Sequence, residues 1–320
     1  MKAIRVHQFG EPGVMRLEEV AEPRPVDDQI LVDVKAIGVN PVDTYVRSGV
    51  YAAKPQLPYT PGKDAAGIIE EIGPEVKHRK VGERVYLSGS LTGCYAEKLI
   101  CAEARAYPLP ENVDFNAGAA IGVPYGAAYY GMFYRAHVMP GETVLVHGGS
   151  GAVGLAAIQI GNAMGCRVIA TAGTAEGLVL VKNQGAIAAL DHTKPNYLDA
   201  LDDLTCGQGV NLVVEMLANV NLENDLNVLA KYGRIVVIGS RGRVEIDPRA
   251  AMGRDAAIVG MLLFNASEKQ LRQIHAALTS GLANGTYKPV INVEMPLAQA
   301  AEAHIKVMQP GAKGKIILTP

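Results

Sequence analysis

The sequence predicts an α/β protein of two domains, in which a β-rich domain is interrupted in mid-chain by a parallel, doubly wound unit. Three observations carry this. Residues 1–114 break into short β-patterned segments separated by Pro, Gly and Asn, with little helical periodicity. From residue 143 onward, strand and helix patterns alternate, as right-handed βαβ crossovers and a parallel sheet require. A four-glycine turn joins the first strand of that region to its first helix.

The β-patterned segments of the first part are 3–7, 29–39, 65–72, 84–87 and 96–101. Around 116–134 the pattern changes to a small-residue helix, which marks a boundary. Beyond it the expected strands are 143–147, 167–172, 187–190, 211–216 and 234–238, with helices beginning at Ala152, Ala175, Tyr197 and Asn221. An apolar run at 256–263 supplies a sixth strand. Amphipathic helices near 267–282 and 297–308 and a strand at 315–318 form a tail that returns to the first domain. The expected division is therefore 1–120 with 264–320 as one domain and 121–263 as the other, and a chain of 320 residues is long enough for two cores. In this arrangement a ligand is expected in the cleft between the domains, beyond the carboxyl ends of the parallel strands.

Composition narrows the partners. Hydrophobic residues make up 49% and charged residues 19%, with a net charge of −2. That balance gives no electrostatic reason for nucleic acid or an anionic membrane as the main partner, and a small molecule is expected. Cys94, Cys101, Cys166 and Cys206 are scattered without zinc-ligand spacing and read as buried thiols in a reducing compartment. The alternating pattern at residues 1–7 leaves no room for a secretory signal, so a cytoplasmic protein is expected. Two long uncharged runs, 115–134 and 143–166, are broken by glycines and a proline and read as interior segments, not membrane spans.

The stretch Thr143-Val-Leu-Val-His-Gly148-Gly149-Ser150-Gly151-Ala152-Val153-Gly154 carries the chemistry. A strand running into a glycine turn and then a helix is a dinucleotide-binding signature, because backbone N–H groups must approach a pyrophosphate closely at a helix N-terminus. Ser150, Gly151, Ala152 and Val153 are the expected contacts, and Gly154 lets the helix pack on the strand. NAD-selective folds place an acid about 20 residues further on, to hold the ribose 2′-hydroxyl. Here that count reaches Gly173-Thr174, with no acid before Glu176. Without that carboxylate a 2′-phosphate meets no repulsion, so NADPH is favoured.

With these residues laid out, the chain resembles the medium-chain dehydrogenase/reductase superfamily, and within it the zeta-crystallin-like quinone oxidoreductases. The resemblance runs end to end. It is carried by Gly38-Val-Asn40-Pro-Val-Asp-Thr-Tyr45, Arg47-Ser-Gly49, Leu57-Pro-Tyr-Thr-Pro-Gly62, the glycine turn, Glu215-Met-Leu-Ala-Asn-Val-Asn221-Leu222 and Val237-Ile238-Gly239-Ser240-Arg241-Gly242. It implies a GroES-like catalytic domain, an inserted Rossmann domain with a six-stranded parallel sheet, reduction of a quinone by NADPH, and a homo-oligomer, either dimer or tetramer. A close relative of that chemistry is reduction of the activated C=C bond of an enal or enone. A different reading, binding of AU-rich RNA, is implied for zeta-crystallin relatives, but the acidic balance and the lack of a basic run set it second.

Zinc-dependent members of the superfamily need a cysteine near the position of Asn40 and a Gly-His-Glu motif. Here the corresponding residues are Val39-Asn40-Pro41 and Gly62-Lys63-Asp64. An ammonium cannot ligate a metal, so a zinc-free enzyme is expected.

By base rate Tyr45 is a half-buried tyrosine; by resemblance it lies against the nicotinamide ribose and the substrate, with Asn40 nearby. Gly173 belongs to the cofactor site by the same resemblance. The lysine that many bacterial relatives carry after the second strand is replaced by Gly177, leaving Lys182 and His192 as candidates near the phosphate. His192 is otherwise a locally satisfied polar residue. Asn221 reads as a helix N-cap and, by resemblance, a cofactor contact. Ile238, Gly239, Ser240 and Arg241 stand at a parallel-strand end, where Arg241 is either a phosphate fork or a solvated cation. Met261, Leu262 and Leu263 offer backbone contacts near the nicotinamide, or core and interface. No nucleophile or acid pair stands out, and a nicotinamide reductase needs none.

Overall fold

The computed structural model describes all 320 residues. Strands β1 (Lys2–Val6) and β2 (Met15–Glu19) pair antiparallel. Then come β3 (Gln29–Val39), helix α1 (Pro41–Ser48), β4 (Asp64–Ile72), β5 (Arg84–Ser88), β6 (Lys98–Ala102) and β7 (Ala106–Pro108). Helix α2 (Phe115–Tyr129) continues into a π-helical stretch, Tyr130–Arg135. The alternating region is β8 (Thr143–Val146), α3 (Ala152–Ala163), β9 (Arg167–Ala172), α4 (Ala175–Asn183), β10 (Ala188–Asp191), α5 (Ala200–Thr205), β11 (Val210–Glu215), α6 (Ala218–Val228), β12 (Leu229–Val237), α7 (Pro248–Met252) and β13 (Ala257–Gly260). The tail holds α8 (Glu268–Ala283), β14 (Ile291–Pro296), α9 (Ala300–Lys306) and β15 (Lys315–Thr319). No helix is long and apolar enough to cross a membrane.

The chain forms two compact units. One comprises Met1–Val123, His275–Gln309 and Gly314–Pro320; the other comprises Pro124–Ile274 and Pro310–Lys313. The divisions fall inside α2 and α8, at 123/124 and 274/275, against the 120/121 and 263/264 expected from the sequence.

The first unit is built on a seven-stranded sheet ordered β14-β15-β3-β4-β5-β7, with β6 also paired to β3. Only β14 and β15 run parallel. Strand β3 is long enough to serve β15 and β6 at its two ends, and two register shifts against β4 bend it between them. Its inward residues Ile30, Val32, Val34 and Ile37 join Ile4, Leu87, Tyr95, Leu99 and Leu318 in one core.

The second unit holds the six-stranded sheet β10-β9-β8-β11-β12-β13, all parallel. Counted from β8, the spatial order is third, second, first, fourth, fifth, sixth, the Rossmann order. Strands β8 and β11 are buried along nearly their whole length, as a sheet covered on both faces demands. Strand order reverses between them, so the fold's ligand position is at their carboxyl ends.

Local readings needed correction where side chains override propensity. Helix α1 is not among the elements expected from the sequence: Asn40 is extended ahead of it, Pro41 occupies the first helical position, where its missing N–H costs nothing, and the Asp43 carboxylate accepts from the Asn40 N–H at 3.0 Å. Helix α6 starts at Ala218 with Leu217 at its N-cap, so Asn221 is not a cap. Cys206 is exposed, in a left-handed conformation at the end of α5; only the other three cysteines are buried. Strands β2, β7 and β14 are not among the segments expected from the sequence, and β13 is shorter than the apolar run at 256–263.

Candidate functional site

The glycine turn follows β8 at the reversal of strand order. The Gly148 N–H donates to Thr171 Oγ1 at 3.1 Å and the Gly149 N–H to the Thr171 carbonyl at 2.7 Å, which ties the turn to β9. A Cβ on Gly154 would lie 2.4 Å from the Gly148 oxygen, so this position serves helix packing. Gly151 caps α3, and a Cβ there would meet nothing closer than 3.4 Å. The N–H groups of Ala152 and Val153 precede the first bond of the helix, Leu155 N–H to the Gly151 carbonyl at 2.9 Å. This open helix mouth fits a pyrophosphate.

At the end of β9, Gly173 and His192 are in contact: a Cβ on Gly173 would fall 2.6 Å from His192 Nε2. His192 is held by Thr171 Oγ1 at 3.2 Å. Burial and then the charge of His147 lower its pKa, so His192 offers hydrogen bonds at neutral pH and not a counter-charge. Lys182 lies in the last turn of α4, about 10 Å along the helix from its first residue. Gly177 has a physical reason to lack a side chain. A Cβ there would lie 3.0 Å from Thr174 Oγ1 and 3.1 Å from Ala172 Cβ, beneath the Thr174 N-cap of α4.

The carboxyl end of β11 carries a group missed in the sequence. His147 Nε2 is 2.8 Å from Asp225 Oδ1 and 3.8 Å from Glu215 Oε2, with all three residues buried. Glu215 also accepts from the Leu217 N–H and from Asn221 Nδ2 at 3.1 and 3.2 Å, so Asn221 is directed to Glu215 within its own unit. Burial alone would depress the His147 pKa, but its bond to Asp225 and both carboxylate charges outweigh this and raise it. Burial, together with the Asp225 charge, pushes Glu215 up to about 7. The donor atoms of these three side chains lie within 4.8 Å of one another, joined by hydrogen bonding. The 2.8 Å contact is a hydrogen-bond distance; two ligands on one tetrahedral zinc stand about 3.3 Å apart at normal bond lengths.

The remaining expected contacts gather at the same edge. The N–H groups of Ile238 and Gly239 both donate to the Glu215 carbonyl, and the Arg241 N–H donates to Asn219 Oδ1 at 2.8 Å. The Ser240 hydroxyl turns back to the Gly242 carbonyl at 3.0 Å, while the Arg241 side chain is exposed and unpaired. The Met261 N–H reaches the Val237 carbonyl at 3.1 Å; Leu262 is exposed and Leu263 buried.

In the first unit, Tyr45 sits half-buried on α1, and its hydroxyl has no partner within the protein. Asn40 is sealed in a polar network. Its Nδ2 donates to Asp64 Oδ2 at 2.9 Å, and its Oδ1 accepts from Lys315 Nζ at 2.6 Å. Lys315 also pairs with Asp64 at 2.9 Å, and Asp64 Oδ1 accepts from the Val123 N–H. Asp43 accepts from Tyr95, whose hydroxyl also meets His304, and burial pushes Asp43 up to about 7. Of the two residues expected at the pocket, Tyr45 has a free functional group and Asn40 does not.

Comparison with known proteins bears on all of this. Residues 26–111 match the alcohol dehydrogenase GroES-like domain, and residues 152–280 match the zinc-binding dehydrogenase model. The quinone oxidoreductase of Homo sapiens is 47% identical over 320 residues, covering 99% of this chain and 97% of that one. The chain belongs to the quinone oxidoreductase family. The Escherichia coli quinone oxidoreductase complexed with NADPH shares 29% identity at a TM-score of 0.90, with both chains covered in full. A mycobacterial protein complexed with NADPH shares 30% at 0.91, again over both chains. The GroES-like and Rossmann architecture expected for quinone oxidoreductases is the one this chain adopts.

Proposed function

We propose that this chain is an NADPH-dependent quinone reductase that works without a metal. The observation that carries the reading is an intact glycine cradle at the strand-order reversal, in a chain 47% identical to a quinone oxidoreductase across its length. The nicotinamide of bound NADPH supplies the hydride, and the protein has no covalent step of its own to perform. Its residues bind and orient. The free N–H groups of Ala152 and Val153 hold the pyrophosphate, Arg241 provides an unpaired guanidinium, and Gly173-Thr174 place no carboxylate against a 2′-phosphate. Tyr45, in the first unit, keeps an uncommitted hydroxyl. At the positions the resemblance assigns to the ligands of zinc-dependent relatives stand Asn40, bonded to Asp64 and Lys315, and Lys63, an ammonium.

The active form is a homo-oligomer. Strand β13 ends the cofactor sheet with one side of its backbone unpaired, and Ile258, Leu262 and Phe264 are exposed beside it. A second copy pairing along this edge would cover both. Four cysteines without disulfides suit a reducing compartment such as the cytoplasm.

The test is NADPH oxidation with ortho-quinones and with alkenals side by side, alongside titrations of NADPH and NADH. Turnover of quinones with NADPH bound more tightly than NADH is expected. Activity on alkenals alone, or tighter NADH binding, would overturn the substrate or the cofactor assignment respectively.

A further inference from the structure

The His147, Glu215 and Asp225 cluster has no part in the function described so far. Its residues are 2%, 0% and 0% exposed. Two carboxylates share one imidazole, no lysine or arginine is paired with either, and Asp225 Oδ2 is buried without a partner. The other polar groups facing it are the Leu217 N–H and Asn221 Nδ2 from the start of α6. Tyr197 lies edge-on to the His147 ring at 6.3 Å, and half-buried His192 feels the His147 charge. None of these adds a fixed positive charge. With both carboxylates ionised the cluster is net negative even when the imidazole is charged, in a region that excludes water.

Its position gives this imbalance a consequence. His147 is one peptide bond from Gly148, the first residue of the pyrophosphate turn. Glu215 holds the start of α6 through its side chain and residues 238–239 through its carbonyl. Asp225, on α6, holds His147. Three cofactor-binding segments therefore meet at this one group.

We propose that the His147–Glu215–Asp225 cluster couples NADPH binding to proton uptake. Seating the pyrophosphate on the turn draws a proton from solvent onto the carboxylate pair, which cancels the buried negative charge behind the cradle. No bond to the cofactor forms or breaks in this step. The proton is held by Glu215, and leaves again when the nucleotide departs. The direction follows from Coulomb's law: an added polyanion disfavours a neighbouring carboxylate, so affinity weakens as pH rises through neutrality. Burial and the Asp225 charge raise Glu215 towards the neutral range, where such a link operates.

This inference rests on the cofactor reading above, and the experiment separates the two. NADPH and NADH are titrated calorimetrically into the full-length protein near pH 7.5, in buffers of different ionisation enthalpy. NADH is included because a phosphomonoester titrates by itself near pH 6. Uptake of a fraction of a proton with both nucleotides is expected, with Kd rising up to about tenfold per pH unit above neutrality. Glu215→Gln should abolish the uptake seen with NADH. Zero uptake by the unaltered protein, or equal uptake in Glu215→Gln, would overturn the proposal. Failure of either nucleotide to bind would overturn the cofactor reading itself.

Discussion

The ammonium of Lys315 pairs with the carboxylate of Asp64 at 2.9 Å, in a site where the two residues are 2% and 0% exposed. Removing one member of a buried pair strands the other charge, which costs about 3–5 kcal/mol. Lys315→Met and Asp64→Asn should each lower the unfolding free energy by about that amount in urea titrations. The double variant should lose less than the sum, because neither charge is then left alone. Strictly additive losses would mean that the pair is not a unit.

The same network bears on metal dependence. By the resemblance, Asn40 stands near a ligand position of zinc-dependent relatives, and its side chain is bonded to Asp64 and Lys315. Dialysis against a strong zinc chelator should leave quinone turnover unchanged, and elemental analysis should find far less than one zinc per chain. Activity lost to the chelator and restored by zinc would refute the metal-free reading.

How much of this was legible in the sequence depended on distance along the chain. The glycine turn and the alternation after it are local signals, and they announce a parallel sheet, whereas its strand order is a matter of long-range pairing. The partners of Asn40 were not readable, because Lys315 is 275 positions away. His147 and Asp225 are separated by 78 positions and lie on different elements. The Asn40-Pro41 signal is local and holds: Asn40 is extended, with φ −122 and ψ 147, and Pro41 takes the first helical position of α1, a helix the dipeptide alone does not announce.

Asp43 gives a pH dependence with a definite sign. Burial raises its pKa from 3.8 to about 7, so over that interval the folded protein holds a proton that the unfolded chain has released. Its contribution to stability therefore falls as pH rises from about 4 to 7, by up to about 1.4 kcal/mol per pH unit. His275 and His304, both lowered to about 3 by burial, act oppositely: their contribution is present above about 6.5 and is lost as pH falls. Asp43→Asn keeps an acceptor for Tyr95 and Asn40 while removing the titration. The difference between its unfolding curve and that of the unaltered protein should shrink towards acid and grow towards pH 7. A difference independent of pH would show that Asp43 does not titrate there.

The two glycines on either side of the α3 entrance should respond differently to the same change. At Gly154 a methyl group would sit 2.4 Å from the Gly148 oxygen, so Gly154→Ala forces the turn off the helix and should lose about 1–3 kcal/mol of stability. At Gly151 the backbone is extended, with φ −74, and the nearest atom to a Cβ is 3.4 Å away. Gly151→Ala should therefore melt within a degree or two of the unaltered protein. Its new methyl group instead lies at the helix mouth, where it holds a pyrophosphate off the N–H groups of Ala152 and Val153. A Kd for NADPH raised about tenfold, or about 1.4 kcal/mol, is the expected result by fluorescence titration. If Gly151→Ala binds NADPH normally and only Gly154→Ala is impaired, the pyrophosphate does not lie across this turn.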